Sequence, residues 1–361
     1  MSAVQVNHAL GTYPILVEPG LLGRLERLVE EHLPGKRAVM IADEAVNRLM
    51  REGRLGEVRW SGETLLFPAG ERSKTRESWS RLTDELLRRG YGRDSGIVAF
   101  GGGVAGDLAG FVAATYLRGV PYVQVPTTLL AMLDASVGGK TGVDTSHGKN
   151  LVGAFHPPVA VLADPLVLAT LADRDYRSGL AEAVKHGLIA DRDYFDWIER
   201  EAPRLLARDP EVVSRLVRRS VEIKAAVVGE DERESGRRAI LNAGHTVAHA
   251  LEQATDYRLP HGEAVALGLI AECALSAGLG RATPEAGARV AALLELLGLP
   301  TRMQETVPPE RLIAAMATDK KNRAGEVRFA LPRALGKMGP GPDWTTEAGD
   351  AAIRAALVSI S

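Results

Sequence analysis

The first half of the chain alternates short apolar runs with longer amphipathic segments. Apolar runs occur at 36–43, 64–67, 96–100 and 121–126. Between them lie segments with apolar residues three and four apart, such as 77–90, which is the spacing of an amphipathic helix. Strands that alternate with helices in this way form parallel sheets covered on both faces. The pattern therefore predicts an N-terminal α/β domain with a mostly parallel, Rossmann-like sheet.

From about Arg174 the pattern changes to longer segments without the strand-like runs. Apolar residues recur at three and four over 211–229, 237–255 and 262–280. This spacing is typical of helices. We therefore predict an α/β domain at 1–174 and a mainly α-helical domain at 175–361, with a short strand near 326–332.

Composition and charge exclude several classes of function. Lys+Arg 44 against Asp+Glu 46 leaves no overall field that would attract nucleic acid or an anionic membrane. Cys273 is the only cysteine, which excludes an intramolecular disulfide and fits a reducing cytoplasm. No basic segment followed by an apolar one opens the chain, so no signal peptide is expected. The low-charge stretch 96–117 contains glycines and Asp107, which favour a strand, a turn and a buried helix over a membrane span.

A glycine turn, 101-GGGVAG-106, follows a predicted strand and opens a predicted helix. In this context G-x-G-x-x-G lets the backbone approach a pyrophosphate at a helix N-terminus. The usual acidic residue about twenty positions later is absent, because the next strand runs into Pro126, Thr127 and Thr128. Asp43, at the end of an earlier strand, is the substitute candidate for a ribose hydroxyl. The turn alone leaves nucleotide binding and an ordinary structural turn equally open.

A second glycine-rich stretch, 134–150, carries Lys140, Lys149 and Asn150. Backbone amides and lysines suit a phosphate, which needs several donors and a positive charge. The stretch lacks the spacer of a P-loop. A solvated surface loop is the simpler alternative, although the glycines and a buried-looking apolar flank at 151–155 weigh against it.

Polar residues recur along one predicted helix that begins near Arg237. They are Glu234, Arg238, Asn242, His245 and His249, with Glu234 on the loop that enters the helix. At helical spacing these five residues fall within an arc of about 80°. His261 follows after a turn at Pro260, and an earlier helix presents Glu182, Lys185 and His186 on one face. Two histidines on one face, with a third nearby, favour a metal site over a solvated stripe or structural histidines.

Any two of the three histidines could bind the metal with Glu182, and spacing alone favours the pair His245 and His249. His245 and His249 are four apart, as in a zinc protease, but Thr246 stands where that motif needs glutamate. The Pro260 turn can present the His261 imidazole to a neighbouring helix. We therefore predict that His245 and His261 are the ligands and that His249 faces the substrate.

Taken together, these stretches resemble the 3-dehydroquinate synthase family of sugar-phosphate cyclases. The matching motifs cover most of 36–335 and include GGGVAGDLAGF, DASVGGKTGV, HGKNLVGAF, AEAVKHGLI, RRAILNAGHT, LPHGEAVALG and DKKNRAGEVRFALP. One departure is Ala248, where the family usually has glycine. The resemblance implies a carbon–oxygen lyase that converts 3-deoxy-D-arabino-heptulosonate 7-phosphate to 3-dehydroquinate and phosphate. This is a step of the shikimate pathway towards chorismate and the aromatic amino acids, with NAD⁺ regenerated in each turnover.

The resemblance also implies roles for individual residues. One divalent ion, Zn²⁺ or Co²⁺, would be bound by Glu182, His245 and His261. Phosphate would be met by Lys140, Asn150, Asn242 and Lys320 (or its neighbour Lys321), with Arg118 reaching in from the second subunit of a homodimer. The substrate carboxylate would meet Lys224 and Arg238, while hydroxyls and protons would be handled by Lys185, Glu234 and His249. NAD contacts would be Asp43, Glu71, Arg72, Ser73, Lys74, Gly103, Val104, Ala105, Gly106, Asp107, Thr127, Thr128, Asp134, Lys140 and Lys149.

Four alternative functions fit parts of the pattern. Other sugar-phosphate cyclases, such as 2-deoxy-scyllo-inosose and 2-epi-5-epi-valiolone synthases, act on substrates without a carboxylate. Two buried cations at Lys224 and Arg238 argue against them, because unpaired buried charge is costly. A metal-dependent alcohol dehydrogenase would need no phosphate cluster, and Thr246 disfavours a zinc hydrolase. A metal-stabilised binding protein would leave the glycine turn and the lysines unexplained.

Overall fold

The computed structural model describes residues 3–9, 11–234, 236–305, 307–317, 327–339 and 344–361. The chain forms two compact units. The first comprises Met1–Ala172 and Val213–Gly229, and the second comprises Asp173–Val212 and Glu230–Ser361. The helical domain predicted at 175–361 includes 213–229, whereas this segment belongs to the first unit.

The first unit is built around a sheet that has seven strands within the described residues. The strands of this unit are β1 (Val4–His8), β2 (Gly11–Val17), β3 (Arg37–Asp43), β4 (Thr64–Phe67), β5 (Ser95–Gly101), β6 (Tyr122–Pro126), β7 (Lys140–Thr145), β8 (Gly148–Phe155) and β9 (Ala160–Ala163). The sheet order is β1-β2-β9-β6-β5-β3-β4, and only the β1–β2 pair within it is antiparallel. The mostly parallel α/β domain is confirmed.

Helices cover this sheet, as the alternating pattern predicts. They are α1 (Leu25–His32), α2 (Glu44–Arg51), α3 (Arg76–Arg88) and α4 (Gly103–Thr115). Every residue of β5 is buried, and so is most of α4, which explains why 96–117 carries so little charge. None of the described helices is long and apolar enough to cross a membrane.

The second unit is mainly helical, which confirms the prediction. Its described helices are α5 (Asp173–Ala190), α6 (Arg192–Leu206), the ends of α7 (Pro210–Glu230), α8 (His245–Ala254), α9 (His261–Gly278), α10 (Pro284–Leu296), α11 (Pro309–Ala317) and α12 (Asp350–Leu357). The strand expected near 326–332 is the two-residue β10 (Arg328–Phe329), which pairs antiparallel with Thr346–Glu347.

The continuous helix predicted from Arg237 is wrong. A 3₁₀ turn spans Arg237–Asn242, and α8 begins only at His245. Gly244 lies between them at φ 80, in the left-handed region that favours glycine. The break accommodates α9, because a Cβ added to Gly268 would lie 1.9 Å from the Gly244 carbonyl oxygen. The polar residues before Gly244 therefore do not share one helical face with the two histidines.

The stretch expected to be an anion-binding loop is mostly the antiparallel hairpin of β7 and β8. Val152 and Ala154 pack on the core of the first unit. Alternate residues of a strand point to opposite faces, so Leu151 and Phe155 point outward and are 46% and 52% exposed. The prediction that 151–155 forms a buried flank is therefore wrong for these two side chains.

Candidate active site

Three side chains of the second unit converge in a way that suits a divalent metal. Glu182 Oε1 lies 3.6 Å from His245 Nε2 and 3.5 Å from His261 Nε2. These distances lie at the long limit of a hydrogen bond, whereas ligands at roughly 2.0–2.1 Å in a tetrahedral site lie about 3.4 Å apart. One carboxylate and two imidazoles are also a donor set that Zn²⁺ prefers. The three residues therefore fit a metal ion.

Each of the three residues is fixed by its position in a helix. Glu182 lies in the middle of α5 and is wholly buried. His245 is the first residue of α8, and His261 is the first residue of α9, directly after Pro260. The first residues of two neighbouring helices thus bring the two imidazoles together, with ring centroids 5.3 Å apart.

The second nitrogen of each imidazole has an acceptor that orients the ring. His245 Nδ1 is 3.1 Å from the Ala243 carbonyl oxygen, and His261 Nδ1 is 3.5 Å from Glu252 Oε2. A carbonyl oxygen only accepts, so the neutral His245 ring carries its proton on Nδ1 and directs the Nε2 lone pair at the cluster. Burial opposes the charged form of His261, but hydrogen bonds to Glu182 and Glu252 outweigh it and raise the pKa to about 10. A metal ion must displace that proton.

The remaining predicted residues of this cluster lie beside the three. Lys185 is 1% exposed and forms an ion pair with Glu182 on the same helix, and His186 is fully buried. His249 stands one turn along α8, edge-on to His245 at a centroid distance of 5.6 Å. The converging group contains His245 and His261 but not His249.

Thr246, which occupies the glutamate position of a protease motif, has structural partners. Its hydroxyl donates to the Arg328 carbonyl oxygen at 3.1 Å, and its backbone N–H donates to Glu272 at 3.2 Å. The side chain is 4% exposed. Thr246 therefore joins α8 to β10 and α9, and no general base stands at this position.

The segment before α8 holds Arg238 and Asn242, the carboxylate and phosphate contacts predicted for this unit within the described residues. Arg238 is 3% exposed, and its guanidinium donates to the Glu232 carbonyl oxygen while its backbone N–H donates to Asp231 at 3.0 Å. Asn242 donates from its amide to Glu234 Oε1. The structure therefore brings Asn242 and Glu234 together.

The first unit brings several predicted nucleotide contacts to the carboxyl ends of adjacent strands. Asp43 ends β3 and caps α2 by accepting the Val46 N–H at 2.8 Å. A Cβ on Gly101, at the end of β5, would lie 3.2 Å from Asp43 Oδ2. A Cβ on Gly102 would lie 3.0 Å from Thr128 Cγ2. Ligands of doubly wound folds bind at such an edge.

A connected ionic cluster adjoins the glycine turn. Lys74 is 3% exposed and donates to Asp107 Oδ2 at 2.5 Å. Burial opposes the charged form of Lys74, but the charges of Asp107 and Glu71 outweigh it and raise the Lys74 pKa. Glu71 Oε1 is 3.9 Å from the Nζ atoms of both Lys74 and Lys149. Four of the predicted NAD contacts therefore interact with one another.

Lys224 also has an anionic partner within the first unit. Its Nζ is 2.7 Å from Asp134 Oδ1 and 2.6 Å from the Asp134 carbonyl oxygen. The expectation that Lys224 needs a substrate anion to offset its burial is therefore wrong, because Asp134 supplies one.

The predicted phosphate contacts of the first unit are not side by side along their hairpin. Lys140 begins β7 opposite Phe155, whereas Asn150 follows the turn that ends at Gly148. Arg118 is exposed at the end of a 3₁₀ turn. Lys320 and Lys321 lie outside the described residues.

Sequence reasoning missed two buried carboxylates near the histidines, Glu252 and Glu272. They are 4% and 1% exposed. Glu272 lies in the otherwise apolar stretch 264–275 of α9, whereas Glu252 is close to His249 and Gln253. An isolated acid in an apolar stretch needs a buried partner, and that signal would have found Glu272 but not Glu252.

Comparison with known proteins agrees with this arrangement. The family model for the 3-dehydroquinate synthase N-terminal domain matches residues 64–178, and the model for the C-terminal domain matches 179–322. The 3-dehydroquinate synthase of Nitrosomonas europaea is 47% identical over 334 residues, which cover 91% of this chain and 90% of that protein.

Two solved structures share the whole fold. A 2-deoxy-scyllo-inosose synthase complexed with carbaglucose-6-phosphate, NAD⁺ and Co²⁺ has a TM-score of 0.89 at 24% identity, covering 99% of this chain and 100% of that one. The 2-epi-5-epi-valiolone synthase of Streptomyces hygroscopicus, with NAD⁺ and Zn²⁺ bound, has a TM-score of 0.84 at 30% identity, covering 99% and 98%. Because the two family models together span more than half of the sequence, the chain belongs to the 3-dehydroquinate synthase family.

Proposed function

We propose that this chain is the lyase that converts 3-deoxy-D-arabino-heptulosonate 7-phosphate to 3-dehydroquinate and phosphate. The observation that carries the proposal is the convergence of Glu182, His245 and His261 in a chain of this family. The reaction oxidises one hydroxyl transiently, which acidifies the neighbouring C–H and lets phosphate leave by elimination. Reduction, ring opening and aldol closure complete the carbocycle.

The chain's cofactors in this proposal are NAD⁺ and one Zn²⁺ or Co²⁺ ion. Glu182, His245 and His261 hold the metal, and the glycine turn with Asp43 holds the dinucleotide. When bound, NAD⁺ accepts and returns a hydride, and the metal ion lowers the pKa of the reacting hydroxyl. The relatives crystallised with NAD⁺ and Co²⁺ or Zn²⁺ support this assignment.

The chain's own residues bind the substrate and move protons. His249 lies one turn beyond His245 along α8, where an imidazole can pass a proton without binding the metal. Lys185 and Glu234 position hydroxyls. Phosphate is met by Lys140, Asn150, Asn242 and either Lys320 or Lys321.

We propose further that the chain works as a homodimer in the cytoplasm. Leu117 and Arg118 are consecutive non-glycine residues at φ 50 and φ 69, and such strain is often retained where a side chain must be presented. The exposed Arg118 would reach the phosphate of a second copy. Sedimentation equilibrium tests this proposal, and a monomer at assay concentrations would contradict it.

Catalytic recycling of NAD⁺ tests the proposed function directly. With the heptulosonate phosphate and a catalytic amount of NAD⁺, phosphate and dehydroquinate should accumulate together, far beyond the enzyme concentration. NADH absorbance should not rise in parallel, because the hydride returns to the substrate. NADH equimolar with product would instead place the chain with the alcohol dehydrogenases.

Arg238→Ala should weaken use of the carboxylate substrate. A charged hydrogen bond contributes about 1.5–3 kcal/mol, so kcat/KM should fall roughly 10- to 150-fold. The kcat/KM for a carboxylate-free analogue should fall by a much smaller factor. Steady-state kinetics with both substrates measures the difference.

Arg237→Ala is the matched control for this variant. Arg237 is the neighbouring arginine, but its side chain is 38% exposed and pairs with Glu230 at the surface. The Arg237→Ala variant should leave kcat/KM nearly unchanged for both substrates. Equal losses for both substrates in Arg238→Ala would mean that Arg238 only supports its own segment.

A further inference from the structure

Helices α8 and α9 share an unusual arrangement of acids and histidines. Each helix begins with a histidine of the converging group and carries one buried glutamate further along. Glu252 follows His245 by seven residues, and Glu272 follows His261 by eleven. At 100° per residue these spacings return to within about 20° of the histidine's own direction. Each glutamate therefore lies on the same side of its helix as that helix's histidine.

Each glutamate contacts the other helix's histidine segment. Glu252, from α8, places Oε2 3.5 Å from Nδ1 of His261 at the start of α9. Glu272, from α9, accepts the backbone N–H groups at the start of α8, where His245 is the first residue. These are Gly244 at 2.7 Å, Thr246 at 3.2 Å and Val247 at 3.4 Å. The two contacts are reciprocal.

Glu272 replaces a local cap that α8 lacks. The first N–H groups of a helix have no partner within it, and the residue before His245 is Gly244, which has no side chain to accept from them. A carboxylate is also favoured at this positive end of a helix. Because Glu272 is 1% exposed, bulk water has no access with which to take over its role.

Close packing leaves the two helices little freedom to separate or slide. Gly268 of α9 faces the Gly244 carbonyl oxygen, and a Cβ there would overlap it. The start of α8 is therefore held by a carboxylate and by direct backbone packing. Because His245 is the first residue of α8, fixing the start of this helix also fixes the position of its imidazole.

We propose that Glu252 and Glu272 are positioning residues that reciprocally hold the two histidine ligands of the metal site. Glu252 orients the His261 ring through Nδ1, and Glu272 anchors the backbone that carries His245. This inference rests on the proposed function, because it takes Glu182, His245 and His261 as ligands.

Cobalt binding by the metal-free protein tests the inference. Co²⁺ affinity would be measured by chelator competition, and ligand geometry by the visible absorption of the Co²⁺ protein. Glu252→Leu and Glu272→Gln should each weaken Co²⁺ binding about 10- to 100-fold and alter the spectrum. Glu252→Gln should recover part of the affinity, since its amide oxygen still accepts from Nδ1.

Asp191→Asn is the matched control. Asp191 caps α6 in the same unit by accepting the Tyr194 N–H at 3.0 Å, and no residue of α6 belongs to the converging group. It should lower the melting temperature while leaving Co²⁺ affinity and spectrum unchanged. A general loss of stability is thereby separated from a loss of ligand positioning.

The outcomes distinguish the inference from the proposed function. If the wild-type protein binds no Co²⁺, the metal site itself is wrong. If it binds Co²⁺ and either glutamate variant shows wild-type affinity and spectrum, the reciprocal positioning is overturned. Should Glu272→Gln fail to fold, the two Glu252 variants decide alone, and equal affinity in Glu252→Leu and the wild type overturns the inference.

Discussion

His245→Ala and His261→Ala should each purify with little bound metal and lose almost all activity. Each removes one of two imidazoles that lie 3.5–3.6 Å from the same carboxylate oxygen. Charge stabilisation by a bound metal is worth several kcal/mol, so kcat should fall on the order of 1,000-fold or more. Elemental analysis and kcat of the purified variants measure both effects.

His249→Ala should behave differently from these two variants. It should keep near-stoichiometric metal and lose about 10²- to 10⁴-fold in kcat, the usual contribution of a proton-transferring side chain. His8→Ala, on edge strand β1 of the first unit, is the control for removing a histidine and should change neither quantity. Metal-free His249→Ala would reject the assignment of His245 and His261 as the two histidine ligands.

Gly268→Ala should destabilise the second unit strongly. The added methyl would sit 1.9 Å from the Gly244 carbonyl oxygen and 3.2 Å from the Ala248 backbone nitrogen. Both contacts are backbone, so α8 and α9 must move apart. Overpacking usually costs about 1–3 kcal/mol, and a clash with rigid backbone places this variant near the upper end of that range. Thermal and urea unfolding of the metal-free protein measure the loss, and Co²⁺ affinity should fall with it.

Gly278→Ala is the control on the same helix. A Cβ at Gly278, the last residue of α9, would meet nothing within 4 Å. This substitution should stabilise the protein by up to about 1 kcal/mol, because alanine loses less backbone freedom on folding. Equal stability of the two variants would mean that α8 and α9 tolerate a wider separation.

Local sequence patterns predicted those parts of the fold that depend on local interactions. The apolar runs that became β3, β4, β5 and β6 were visible because each is bounded by turn residues and followed by an amphipathic segment. The break before α8 was not visible in the local sequence, because the left-handed turn at Gly244 accommodates Gly268, which lies twenty-four residues later in the chain. The edge strand β1 and the short interior strand β9 were also missed.

The site was predictable to a similar degree. Glu182, His245 and His261 follow from the family resemblance, and the structure places them together. The partners of the predicted residues were not foreseen. Lys224 and Asp134 are ninety residues apart in the chain, so nothing in the local sequence signals that one offsets the charge of the other.

Helix α7 contributes most of its length to the first unit although it follows part of the second unit in the chain, and this order affects how the protein can fold during synthesis. The first unit needs 213–229, which follows forty residues of the second unit in the chain. An emerging polypeptide therefore cannot complete its N-terminal half until residue 229 has left the ribosome, and a fragment ending at 172 would lack Lys224. Exchange of one whole unit between relatives would require breakpoints near 172, 212 and 229 together. A single crossover between relatives at residue 172 or 212 would therefore separate segments that fold together.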